Sequence, residues 1–391
     1  MNEQSEPQRE GTAISSAGAA QPLRILIVAP SFDILGGQAV QAARLLEHLR
    51  AETSLHVDFL PINPRLPGVL RKLQAIKYVR TVVTSLLYCA TLLARLRQYD
   101  VIHIFSASYF SFVLAPTPAI LVAKLYGKKI VLNYHSGEAE DHLARWRRTA
   151  IPTIRLTDEV VVPSDYLVRV FARFGLHARA IFNTIETATF RFQERRPLRP
   201  LFLSNRNLEA HYGVDRVLRA FAIIQQSCPD ASLTVAGDGS QRRLLEQLAR
   251  ELNLHNVKFT GQIGHEKVSE LYDAADIYLN GSEIDNQPLS LLEAFACGLP
   301  VVTTNAGGIP DIVTHERTGL LVQRGDYQAM AECALRLLRD AELARAITVQ
   351  AFEECHKYGW DAVRGKWLDL YEGLAATRKL EYVVDRRSMI S

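Results

Sequence analysis

Two acids eight residues apart, Asp285 and Glu293, carry the most specific chemistry in this chain. They stand in the run DNQPLSLLEAFACGLP. There a polar loop, Asp285-Asn286-Gln287-Pro288, leads into a short apolar helix that begins at Leu289. Gly298 and Pro300 end that helix, as glycine just past a helix end and proline soon after usually do. A carboxylate set among Leu, Ala and Phe is costly to bury alone. Glu293 therefore either finds a partner, for which ligand hydroxyls are suited, or faces solvent. Both acids can accept hydrogen bonds from the hydroxyls of a sugar or ribose. They also have the form of an acid/base pair. No His or further acid stands beside them at metal-ligand spacing.

Other candidates fall where apolar runs end. Gly36-Gly37 separates the first apolar run from the first helical pattern. It either admits an anion to the helix start or simply turns the chain, and it is not a GxGxxG fingerprint. His135 opens the polar loop His135-Ser136-Gly137-Glu138. Arg206, in Ser204-Asn205-Arg206-Asn207, could fork onto a diphosphate or lie on the surface. Tyr212 and Gly213 open the next helix. Gly237-Asp238-Gly239 and Gly307-Gly308-Ile309-Pro310 are further turns whose backbone could face a base, a ribose or an anion.

The elements that must position these residues alternate regularly. Strand-like runs are expected at Leu23–Ala29, His56–Leu60, Val101–Phe105, Lys129–Tyr134 and Glu159–Val162. They resume at Leu201–Ser204, Ser232–Ala236, Val257–Thr260, Ile277–Asn280, Val301–Thr304 and Leu320–Val322. Helical patterns separate them, and the chain turns helical after Tyr327. Strands alternating with helices predict βαβ units and parallel sheets, whose ligands bind beyond the strands' carboxyl ends. A length of 391 residues predicts two such domains. The segment QERRPLRP, 193–200, reads as the linker. The expected boundaries are a disordered tail 1–21, a first domain 22–192, a second domain 201–355, and a helical crossover with tail 356–391.

Composition excludes several classes. Hydrophobic residues at 48% and charged residues at 22% describe a globular protein. A net charge of +3 and the absence of zinc-ligand, RNA-binding or Walker spacing argue against nucleic acid as partner. Five scattered cysteines, never in CxxC pairs, fit reduced thiols and a cytoplasmic setting. Met1–Gln21 lacks the apolar run of a signal peptide. The stretch Arg65–Arg97 mixes Lys and Arg with Leu, Val and Ile. It reads either as a core helix with a solvated basic face or as a peripheral membrane surface on the inner face of a bilayer.

Taken together, these residues resemble the retaining glycosyltransferases of family four, also described as glycosyl transferases group 1. The pattern that carries the resemblance is acid-x7-Glu at Asp285 and Glu293. Gly36-Gly37, Val160–Leu167, Ala236–Gly239, Phe259–Gly261, Gly307–Pro310 and Thr318–Val322 support it in order and spacing. The resemblance implies an α/β GT-B fold, two Rossmann-like doubly wound parallel-sheet domains facing a cleft, with C-terminal helices that include Trp360 and Tyr371 crossing back. It implies transfer from a nucleotide-sugar donor to a glycan, lipid-linked or small-molecule acceptor, with no cofactor and no metal. By position, Glu293 would bind ribose hydroxyls, and Asp285 with the backbone amides of Asn286, Gln287, Pro288 and Leu289 would hold the donor sugar. Arg206 would lie on the diphosphate, and Gly36 and Gly37 would approach the phosphates. Gly237 would border the donor, and His135 would lie near the transferred sugar.

Two departures stand out. The first acid is Asp285 rather than Glu, and Tyr212 stands where the family carries a diphosphate lysine. A missing charge-assisted contact is worth about 1.5–3 kcal/mol unless Arg206 or the turn at Gly308 compensates. Tyr212 therefore keeps open a catalytically weak nucleotide-sugar-binding subunit, beside a GT-B sugar-nucleotide epimerase or a phosphorylase. A dinucleotide oxidoreductase is more distant, since GxGxxG is lacking.

Overall fold

A computed structural model of the protein describes residues 21–32, 37–65 and 77–388. Gly36, Arg71, Lys72 and the expected tail up to residue 20 lie outside them.

Two six-stranded sheets, parallel throughout, organise the chain. The first contains β1 (Leu23–Ala29), β2 (Leu55–Pro61), β3 (Val101–Ser106), β4 (Lys129–Tyr134), β5 (Glu159–Val162) and β6 (Arg179–Ala180), in the order β2-β1-β3-β4-β5-β6. The second contains β7 (Leu201–Asn205), β8 (Ser232–Ala236), β9 (Val257–Gly261), β10 (Ile277–Asn280), β11 (Val301–Thr304) and β12 (Leu320–Val322), in the order β12-β11-β10-β7-β8-β9. The first lobe's helices are α1 (Gly37–Arg50), α2 (Lys77–Arg95), α3 (Tyr109–Leu114), α4 (Pro116–Leu125), α5 (Ala139–Arg145), α6 (Arg147–Ile154) and α7 (Asp165–Arg173). The second lobe's are α8 (Val214–Ser227), α9 (Arg242–Glu251), α10 (Val268–Asp273), α11 (Leu289–Ala296), α12 (Tyr327–Arg339) and α13 (Ala341–Cys355). A long last helix, α14 (Trp360–Ser388), follows.

Near-continuous apolar strands form parallel sheets because helices cover both faces. Strand alternation sorts β1 accordingly. Ile25 and Ile27 face a core shared with α1 and α14, while Leu26 and Val28 face the core under α2 and α4. Each sheet reverses its strand order once, and such switch points open a crevice at the strands' carboxyl ends. In the first sheet the reversal lies between β1 and β3, in the second between β7 and β10. The two crevices face one another.

The crossing between lobes corrects the expected linker. Thr184 is still hydrogen-bonded to Gln41 and Arg44 of α1, whereas Ile185 and Phe190 already pack in the second lobe's core, so the chain crosses between Thr184 and Ile185. Residues 193–200 are bound to the second lobe, not a tether. Arg195 is buried there, with Nε donating to Ala275 O at 2.7 Å, Nη1 to Cys297 O at 2.7 Å and Nη2 to Tyr272 O at 2.9 Å. A guanidinium fork satisfies carbonyls left over at the ends of α10 and α11. The chain returns at Tyr358, whose carbonyl accepts from Ile185 N at 2.9 Å.

Helix α14 then docks on the first lobe through Val363, Trp367, Leu370, Tyr371 and Leu374. His103 on β3 anchors it. Asn133 Nδ2 donates to His103 Nε2 at 3.1 Å, which places the ring proton on Nδ1, 2.6 Å from Tyr371 Oη. Burial pushes this imidazole down to about 3, and it pushes His135 to about 3 and His142 to about 4. The unfolded chain therefore binds more protons below about pH 6.5, and stability falls as pH falls through that window. Each group contributes about 1.4 kcal/mol per pH unit. His103→Gln should flatten the dependence of the urea-unfolding free energy between about pH 6 and pH 5 by one such share; an unchanged slope would show that His103 is not held neutral.

Candidate active site

The facing crevices form one cleft of about 470 Å³, lined from both lobes. The first lobe supplies Gly37 and Gln38 at the start of α1, and the loop His135–Glu138 after β4. The second supplies Arg206 after β7, Tyr212, Gly237 after β8, Gln262 and Ile263 after β9, and the run from Ile284 to Ser290 with Glu293. Every donor-site residue expected from sequence and lying within the described residues thus borders one cleft. Gly36 lies outside those residues.

Glu293 does not face solvent. It is 7% exposed, and its Oε2 accepts from Tyr272 Oη at 2.7 Å. Tyr272 is wholly buried and also receives a bond from Asn205 Nδ2 at 3.1 Å. Nothing in the local pattern of α10 marked this tyrosine, because its role depends on α10 packing beside α11.

Arg206 and Asp285 are at the switch point, one after each of the adjacent strands β7 and β10. Arg206 Nη2 donates to Asp285 Oδ2 at 2.5 Å, and Nη1 to Ser290 Oγ at 3.2 Å. Its guanidinium carbon lies 4.1 Å from the centre of the Tyr212 ring, a cation–π stack. Burial alone would lower the pKa of Arg206, but attraction from Asp285 and the nearby tyrosines outweighs it and raises it. Asp285 also accepts from Ser282 Oγ at 3.1 Å and, through Oδ1, from Asn286 N at 2.9 Å. Sequence reasoning gave Arg206 to the diphosphate; here Nη1 and Nη2 are bonded to protein and Nε is not.

The loop amides are likewise partly committed. Asn286 N serves Asp285, and Pro288 has no N–H to give. The set of four backbone donors expected from Asn286 to Leu289 is therefore reduced. The first amides of α11, at Leu289 and Ser290, precede any i−4 carbonyl of that helix and border the cleft. The side chains of Asn286 and Gln287 reach the other lobe. Ser164 Oγ donates to Asn286 Oδ1, and Asn183 N donates to Gln287 Oε1 at 2.7 Å.

The glycine turn at 307–308 is also reassigned. Gly308 N donates to Asp285 O at 3.1 Å. A Cβ at Gly307, where φ is +52°, would lie 1.9 Å from Asp285 O, and one at Gly308 would lie 2.2 Å from Asn286 O. These glycines support the 285–286 loop by backbone contact, and neither lines the cleft. Gly237 has a similar duty: φ is +123°, and a Cβ there would meet Arg206 O at 2.0 Å.

Among the described residues, four polar atoms of the cleft are buried without a protein partner: His135 Nε2, Arg206 Nε, Asn286 Nδ2 and Gln287 Nε2. Buried polar atoms are normally satisfied, so these point to a hydrogen-bonding ligand. His135 stacks on Phe105 with ring centres 5.0 Å apart, and its neutral ring adds no charge to the site.

Removing one member of a buried ion pair strands the other. Arg206→Ala should therefore reduce the urea-unfolding free energy by about 3–5 kcal/mol. Adding Asp285→Asn should restore much of that loss. Additive losses in the double variant would show that the two charges do not depend on each other.

Known proteins match both halves. The profile of Glycosyltransferase Family 4 matches residues 35–189, and that of Glycosyl transferases group 1 matches residues 186–354. The sulfoquinovosyl transferase SQD2 of Arabidopsis thaliana is 26% identical across 94% of this chain and 76% of its own. The N-acetyl-alpha-D-glucosaminyl L-malate synthase of Bacillus anthracis is 38% identical across 37% of each chain. Among solved structures, sucrose-phosphate synthase from Thermosynechococcus elongatus has a TM-score of 0.74 at 23% identity, over 91% of this chain and 100% of that one. Anabaena HepE in complex with UDP and glucose has a TM-score of 0.70 at 18% identity, over 90% and 100%. These two likenesses establish the fold. With both lobes and their shared cleft accounted for by adjoining profiles, the chain belongs to the GT-B glycosyltransferases of group 1.

Proposed function

We propose that the protein is a retaining hexosyltransferase that takes a sugar from a nucleoside diphosphate donor and passes it to a glycan, lipid-linked or small-molecule acceptor. The observation that carries this reading is Glu293. It is a buried carboxylate in the cleft wall beside the switch point, oriented by Tyr272, and suited to ribose hydroxyls. UDP in the HepE structure supports the donor class.

In this reading the bond from the anomeric carbon to the diphosphate breaks as the acceptor oxygen bonds to the same face and gives its proton to the departing phosphate oxygen. Negative charge grows on the leaving group, and donors aimed there lower the barrier. Arg206 Nε and the first amides of α11 and α1 fill that role, without a metal. A neutral His135 can hydrogen-bond a sugar hydroxyl without setting a positive charge against the oxocarbenium-like carbon. Asp285 acts through Arg206, holding the guanidinium in place.

A second reading has one observation in its favour. Arg206 is already paired with Asp285, and Tyr212 stands where the family carries another cation. A nucleotide-sugar-binding subunit with little turnover would fit that charge balance.

A thermal-shift screen of nucleoside diphosphates and their sugars tests the first reading. A ligand at a hundred times its Kd stabilises by about 2.7 kcal/mol. The melting temperature should rise with UDP or a related nucleotide, and Glu293→Ala should abolish the shift. NMR of the product should show the donor's anomeric configuration, at a rate that chelation with EDTA leaves unchanged. Binding with no transfer or hydrolysis of any donor would favour the subunit instead.

A further inference from the structure

Among the described residues, nine large hydrophobic side chains are exposed, and six of them lie on two neighbouring helices of the first lobe. Val79, Val82, Leu86 and Leu93 follow a helical stripe along α2, and Leu121 and Leu125 stand one turn apart on α4. Leu86 is 67% exposed and Leu125 is 73% exposed. The second lobe shows one such residue, Leu244. Six clustered on one face form a patch of the kind that marks an interaction site.

The two helices present one continuous face. Both run back from the carboxyl edge of the first sheet, so their C-terminal ends adjoin. There Tyr126 Oη donates to Leu93 O at 3.0 Å, Arg97 stacks on the Tyr126 ring at 4.7 Å, and Lys128 Nζ donates to Arg97 O at 2.8 Å. The expected amphipathic element in 65–97 is thus only part of this surface, which extends onto α4.

The charge around it has one sign. Residues 77–128, from the start of α2 to just past α4, contain six Lys and Arg against a single acid. That one acid, Asp100, is paired with Arg378. Arg80, Arg97 and Lys124 are exposed beside the leucines. Exposed leucines rimmed by flexible cations are what an anionic bilayer surface binds.

Residues 79–98 are long and apolar enough to span a bilayer, yet α2 is fixed to the domain along its other side. Tyr88, Leu92 and Leu96 are fully buried, and Tyr88 Oη donates to Ala115 O at 3.0 Å. Only a face is offered, and it lies along the surface.

We propose that the α2–α4 face docks peripherally on an anionic membrane. Because α2 starts at the sheet edge that opens on the cleft, docking sets the cleft beside the bilayer surface, where a lipid-anchored acceptor would be held. The acceptor clause rests on the transferase reading; the docking itself does not.

Flotation of the full chain with vesicles tests it without turnover, so its failure and that of the transferase reading are distinguishable. The chain should float with phosphatidylcholine–phosphatidylglycerol vesicles and at least about tenfold less with phosphatidylcholine alone, and high salt should weaken binding. Leu86→Asp/Leu93→Asp on α2 and, separately, Leu121→Asp/Leu125→Asp on α4 should each lower partitioning about tenfold or more. Leu244→Asp should not. Either pair suffices if the other fails to fold, as melting temperature reports. Absence of wild-type binding, or binding that folded variants retain, overturns the proposal. A wild-type dimer dissolved by these substitutions, with no vesicle binding, overturns it in favour of a second copy of the chain.

Discussion

A guanidinium and a carboxylate buried together at one switch point determine the arrangement of the cleft. Arg206 opens the turn after β7 and Asp285 lies in the loop after β10, so the pair spans two strands whose connections depart in opposite directions. Each side chain is about nine-tenths buried. Neither charge is tolerable there alone, whereas paired at 2.5 Å and further hydrogen-bonded, both are. The pair fixes the 285–288 loop, and that loop has two consequences. It starts α11 with Glu293 turned toward Tyr272, and it sends Asn286 and Gln287 across to Ser164 and Asn183 of the first lobe. The shorter acid at 285 fits this duty, since its second oxygen bonds the next residue's own amide.

Backbone packing supports the pair from beneath. Gly237 brings the turn after β8 against the Arg206 carbonyl, and Gly307-Gly308 brings the turn after β11 against the Asp285 and Asn286 carbonyls. Any side chain at these positions would separate turns that must touch. The same glycines that look like an anion cradle in sequence are therefore spacers set to zero, and they influence the site by where they let Arg206 and Asp285 stand.

Eleven of the twelve strands are short runs of β-branched and aliphatic residues bounded by turn residues, so periodicity alone places them within a residue or two. The two-residue β6 has no such signature; it exists only because Arg179 and Ala180 lie alongside Val161 and Val162. The linker misled because arginine and proline suggest solvent, while Arg195 is buried as a cap for two helices. At the site, acid-x7-Glu located the loop and helix correctly. What spacing did not convey was pairing: that Arg206 binds Asp285, that Tyr272 orients Glu293, and that the Asn286 and Gln287 side chains serve the other lobe. Each of these joins residues at least 21 positions apart, and such pairings depend on three-dimensional packing.

The chain crosses between lobes twice, near Ile185 and Tyr358, and the two crossings are bonded to each other. Apolar and aromatic contacts flank them: Phe182 against Tyr358, and Trp360 stacked on His48 with ring centres 4.4 Å apart. Farther across the cleft the lobes meet through polar contacts, including Tyr166 N to Asp311 at 2.6 Å and Arg169 to Asp311 at 2.9 Å. Each such bond contributes only about 0.5–1.5 kcal/mol net, because water replaces it when broken. The apolar hinge has no such substitute. Contacts across the cleft are thus the ones that water can replace, and those at the crossings are not. A ligand that touches both walls favours this arrangement of the lobes in proportion to its extra contacts there. The unpartnered donors of Asn286 and Gln287, sited where the lobes meet, are the groups through which a bound donor would exert that bias.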